Sequence, residues 1–258
     1  MGHIHLVRLP KTPPWNAVVA LLGSRAPTDE IVAATARAAE HSLAQAASDP
    51  GLRHSFWLLT QLPIAARSPD FAVRLRDLNL HAGSAPTWLS LSAAFQDAVD
   101  AKTRRARGKT DLGEMAQLAA TEVLTTVLSA DMPGLFDTTS EDVRYALGKL
   151  AAPDRFAELS RDFFACLVNR NLEYFLSRAV ADHIGPGRGF GSLSEHRAFR
   201  EALAQRCYEA ALIVEAASGE WYSTTNWQGG ITPAKAAGFI HVAFRKLREE
   251  LQRRAADV

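Results

Sequence analysis

Cysteine is scarce: Cys166 and Cys207 are the only two in a chain of 258 residues. Two thiols cannot build the framework of bridges that holds small secreted domains together. The chain is therefore expected to fold on apolar burial in a reducing compartment. Charge imbalance is also missing. The 29 Lys and Arg nearly cancel the 28 Asp and Glu, leaving a formal net charge of +1. No bulk field then points to nucleic acid or membrane, and any basic surface must be local. Long apolar runs are absent too. Ala17 to Leu22 is far too short to span a bilayer. Met1 to Trp15 lacks an apolar core of signal-peptide length, and Leu6 stands where a myristoylation pattern needs Ser or Thr. These absences predict a cytoplasmic protein with no membrane anchor.

Motifs with built-in chemistry are missing as well. There is no H-E-x-x-H, no C-x-x-C, no G-x-S-x-G elbow and no P-loop lysine. Neither a metal nor a cofactor is expected. No repeat of solenoid period and no low-complexity tract interrupts the chain.

What is present is ordinary globular material, 47% hydrophobic and 22% charged. A chain of this length can bury roughly 70–75% of its unfolded surface, so the core alone can hold it. Richness in Ala and Arg suggests a GC-rich bacterial genome. Hydrophobic spacing predicts an all-α fold, a compact bundle of roughly eight to ten helices. Pro14 opens a first helix and Gly23 closes it. Thr28 is expected to cap a helix running to about Ser48 on the ridge Val32, Ala36, Ala39, Leu43 and Ala46. Asp49-Pro50 and Ser68-Pro69 each read as a cap followed by proline at the first helical position. A helix is expected over 90–107, and Asp111 with Glu114 has capping-box spacing ahead of the next. Its ridge is Ala116, Ala119, Val123, Val127 and Ala130. Ser140 caps a short helix.

The longest helix should start near Pro153 and end at Gly185. Its Phe156, Phe163, Phe164, Leu167, Phe175 and Leu176 place it at the centre. Ser192 with Glu195 starts the next, and Gly219 is expected to close it. Glu220 to Ile231 then reads as an aromatic loop, and Thr232-Pro233 opens the last helix. A minor two-stranded β element is allowed, pairing His3–Leu9 with the 220–230 loop. The whole chain, 1–258, is expected to be one helical domain, with a weak sub-boundary near 102–112.

Several clusters invite function. Gly185 to Gly191 could cradle a phosphate with Arg188, and His183 and His196 flank it as general acid–base groups. The segment follows a helix rather than a strand, which also fits a plain connection. His3 and His5 form a lone H-x-H pair with no further ligands at metal spacing. Lys102, Arg104, Arg105, Arg107 and Lys109 put five cations in eight residues, suited to a phosphate backbone or to a solvated helix end. Trp221, Tyr222 and Trp227 could be a hot spot for a partner or plugs of the core.

Three functions follow. The leading expectation is a non-catalytic interaction or scaffold subunit, docking a protein partner or a second copy through Trp221, Tyr222 and Trp227. The second is an enzyme on a phosphate-containing substrate using His183, Arg188 and His196. The third is a nucleic-acid-binding module built on 102–109.

Overall fold

The computed structural model describes residues 10–24, 26–106, 108–131, 139–185 and 187–256, the side chain of Arg178 excepted. Among these residues it is all-α, with eleven α-helices, one 3-10 turn and no strand. In chain order the helices are α1 Pro13–Ser24, α2 Thr28–Ala38, α3 Glu40–Ala46, α4 Pro50–Ala66, α5 Phe71–Asp77 and α6 Trp88–Ala106. There follow α7 Asp111–Ser129, α8 Ser140–Lys149, α9 Pro153–Val180, α10 Leu193–Trp227 and α11 Pro233–Ala256. The helix expected over 28–48 is two helices, because the chain turns at Ala39 (φ −81°, ψ −6°). The ridge survives that turn: Val32, Ala36, Ala39, Leu43 and Ala46 are all buried.

Helix ends follow cap chemistry. The Asp49 carboxylate accepts from the Leu52 amide, with Pro50 in the first turn. Ser192 Oγ accepts from the Glu195 amide. Elsewhere the cap sits one residue from its expected place. Thr110, not Asp111, caps α7, and Thr139, not Ser140, caps α8 through a capping box with Asp142. Thr beside Asp or Ser offers the same oxygen one position earlier, and it is Thr that has extended backbone there. Pro27 precedes α2 without a side-chain cap, and the helix after Ser68-Pro69 begins only at Phe71.

The largest departure lies near 220. The expected aromatic loop is helix, since α10 runs unbroken to Trp227. Gly219 does not close it; a Cβ there would lie 2.6 Å from the Pro153 carbonyl oxygen, so glycine lets α10 press onto the start of α9. The β pairing proposed for 220–230 is therefore lost, and its partner His3–Leu9, with His3 and His5, lies outside the described residues. The break expected at Met132-Pro133-Gly134 lies outside them as well.

One apolar cluster runs from Trp15 to Leu251. α9 and α10 pack along each other, and α4 lies against α5, α6, α7, α8 and α11. Phe56 of α4 is fully buried, its ring centroid 5.4 Å from Phe164, 5.7 Å from Phe163 and 5.5 Å from Phe239. α7 buries Ala116, Ala119 and Val123 as expected, but then Leu124 and Leu128 in place of Val127 and Ala130. α2 packs on α1, α10 and α11, and Arg37 Nη1 donates to the Ala255 carbonyl at 2.8 Å. No helix among the described residues is long and apolar enough to cross a membrane.

Candidate functional site

The basic segment is not a uniform stripe. α6 carries it to Ala106, Arg107 lies outside the described residues, and Lys109 Nζ pairs with Asp100 at 2.5 Å. Arg104 lies 4.0 Å from the same carboxylate. Lys102 and Arg105 have no ion-pair partner among the described residues. Together with Arg104 they line a cavity of about 760 Å³ between α6, α4 and the start of α11.

α4 supplies the facing wall. Its helical spacing turns Arg53, His54 and Trp57 into the cavity. The link from α5 to α6 adds Asn79 and His81, and α11 adds Pro233, Ala234 and Ala237. Asn79 is the one non-glycine residue with positive φ, +61°, among the described residues, a conformation that asparagine tolerates better than most residues. Four cationic side chains thus border the cavity (Arg53, Lys102, Arg104, Arg105) against one carboxylate, Asp97.

The wall is held from behind. Trp57 Nε1 donates to the Ile231 carbonyl at 3.0 Å, and Gln61 donates to the same oxygen at 3.1 Å. Arg53 Nε donates to the Ala47 carbonyl at 2.8 Å, and its Nη2 donates to His241 Nε2 at 2.8 Å. The His54 imidazole stacks on Trp57 with centroids 5.4 Å apart. Burial, reinforced by the charge of Lys102, lowers its pKa to about 4. His54 is therefore neutral near pH 7 and leaves the positive charge to Lys102, Arg104, Arg105 and Arg53.

The glycine-rich segment is built differently. Gly185 N donates to the Phe190 carbonyl, Arg188 N to the Gly185 carbonyl, and Phe190 N to the His183 carbonyl. These amides are engaged within the loop. A Cβ on Gly189 would lie 1.8 Å from the Leu22 carbonyl oxygen, so the loop is seated on the end of α1. Arg188 Nη1 donates to the Asp182 carbonyl at 3.0 Å. His196 turns its ring edge to Phe190, at 5.6 Å, and lines a cavity of about 280 Å³ with Glu173, Phe199 and Arg200. Neither His183 nor Arg188 lines that cavity. Burial, then the charge of Arg200, favours neutral His196.

The aromatic trio divides as well. Tyr222 is buried and stacks on Phe156 at 3.9 Å, and Trp221 stacks on Phe239 at 4.3 Å. Only Trp227 faces solvent, at 86% exposure. Burial raises both thiols, Cys207 to about 12, and neither is placed as a nucleophile. No group of three or more His, Cys, Asp or Glu among the described residues could hold a metal ion.

Arg53, His54, Trp57, Asn79 and His81 escaped the sequence reading. The one available hint was the cation, imidazole and indole spaced along the helix that Asp49 caps. Compared with known protein families, curated proteins and solved structures, the chain matches none.

Proposed function

We propose that the protein is a binding protein for a phosphate-bearing small ligand, held in the cleft between α4, α6 and the start of α11. The observation that carries this reading is the pair of cations without ion-pair partners among the described residues, Lys102 and Arg105, on a cavity that also presents a stacked imidazole and indole. Its volume of about 760 Å³ falls in the range of small-molecule sites. A cleft walled by three helices suits a small polyanion better than a nucleic-acid backbone, which would follow a continuous basic stripe. A partner surface on Trp221, Tyr222 and Trp227 has less support, since two of the three rings point inward.

The test is calorimetric titration of the full chain with inorganic tripolyphosphate. Binding is expected to weaken as salt rises. Lys102→Glu and Arg105→Glu should each lower affinity on the order of tenfold, because charge-assisted hydrogen bonds are lost. No heat of binding to the native chain, or native affinity retained in both variants, removes the reading.

A further inference from the structure

A second cavity, of about 740 Å³, adjoins the first, and Ser48 and Pro50 line both. Its walls have another character. Leu112, Met115 and Phe175 provide apolar surface, while Asp111 and Asn171 bring polar groups among them. Asn171 is 6% exposed. Its Oδ1 lies 3.1 Å from the Ser42 hydroxyl, whose one proton is shared with the Ala39 carbonyl at 2.9 Å. Its Nδ2 has no hydrogen-bond partner among the described residues. That nitrogen is not among the fully buried atoms that lack a partner, so its donors are reached from the cavity. Asp111 holds one oxygen against the Tyr174 hydroxyl. Its other oxygen, Oδ1, accepts from no described side chain.

The wall therefore offers a free donor and a free acceptor, flanked by a phenyl ring and aliphatic groups. That pattern complements a flat heterocycle, which has two apolar faces and an edge carrying both acceptor and donor atoms. The adjoining cleft complements phosphate. We infer that the ligand is a nucleoside polyphosphate, with its base against Asn171 and Asp111 and its phosphates beyond the Ser48–Pro50 divide, at Lys102, Arg105 and Arg53. This rests on the phosphate-binding reading of the first cleft and names the ligand class for it. Asp49, between the two, is not a ligand group: Leu52 N and the Thr110 hydroxyl already occupy its oxygens.

The experiment compares inorganic tripolyphosphate with the four common nucleoside triphosphates and their free nucleosides, by calorimetry on the full chain. At least one nucleoside triphosphate is expected to bind about tenfold or more tighter than tripolyphosphate, the worth of one or two added hydrogen bonds. Asn171→Leu should abolish that gain and leave tripolyphosphate affinity unchanged. Ser42→Ala, which removes the hydroxyl beside Oδ1, should reduce the gain, and serves where Asn171→Leu fails to fold by circular dichroism. Tripolyphosphate binding with no gain from any base, or a gain that survives both variants, overturns the inference and leaves the phosphate cleft standing. A free nucleoside that binds and is lost in Asn171→Leu, with no tripolyphosphate binding, supports the base site while removing the phosphate reading.

Discussion

His54 is an imidazole whose protonation distinguishes folded from unfolded chain between neutral and mildly acid pH. Its pKa falls from the ordinary 6.5 to about 4 in the fold. The unfolded chain therefore takes up this proton first as pH drops. The stability that neutral His54 provides is complete above about pH 6.5 and is lost between there and about pH 4, at up to about 1.4 kcal/mol per pH unit. Urea unfolding of His54→Gln against the native chain at pH 7 and pH 4.5 checks this. The native chain should lose more stability than the variant over that interval, and parallel losses would mean that the imidazole titrates normally. At this scale the sequence was half legible. Lys102, Arg104 and Arg105 stand out as a run, but the His54 ring and Trp57 indole that complete the cleft belong to another helix. A half-buried imidazole carries no local signature, because its desolvation is made by residues distant in the chain.

Helix starts show the same division at the scale of elements. α4 and α7 begin side by side, with Gly51 and Gly113 so close that a Cβ on Gly51 would lie 2.7 Å from Gly113 Cα. One carboxylate serves both starts: Asp49 accepts from Leu52 N at 2.9 Å and from the Thr110 hydroxyl at 2.5 Å, while Thr110 Oγ1 accepts from Gly113 N at 3.0 Å. Asp49→Ala should thus cost about 1–2 kcal/mol, more than an ordinary exposed cap, since it also strips the Thr110 hydroxyl of its acceptor. Chemical denaturation of this variant beside Thr110→Val measures it. A loss below about 0.5 kcal/mol would place both starts in the class of caps that water replaces. Cap chemistry made the Asp49 and Ser192 starts readable, because each pairs a side-chain oxygen with the onset of apolar spacing. The end of α10 was not readable. Gly219 has the composition of a terminator, yet it serves the approach to Pro153, a contact between elements that periodicity within one element cannot show.

For the molecule as a whole, apolar spacing was enough to give the class. Period-3.6 ridges with few strand-like stretches leave helix packing as the way to bury the chain. Which helix would be the hub was hidden. The phenylalanines of α9 marked it as central, but Phe56 on α4 is the ring that joins α9, α10 and α11, through Phe164, Trp221 and Phe239. Phe56→Ala is expected to cost about 3–5 kcal/mol, a large share of the roughly 5–15 kcal/mol available to a domain. Thermal unfolding checks both the size and the cooperativity. A loss near 1 kcal/mol would show that the surrounding rings close the space.

The bond from Arg37 to the Ala255 carbonyl, with the packing of α2 on α10 and α11, bears on how the chain is made. Translation delivers α2 well before α10 and α11, and α1 can cover part of it at once. The remaining cover is far along the chain, 218 residues separating Arg37 from Ala255, so the apolar side of α2 waits while that length is synthesised. A nascent chain of this design keeps that side of α2 uncovered until α10 and α11 emerge, and a pause in elongation before α11 would lengthen that exposure rather than relieve it.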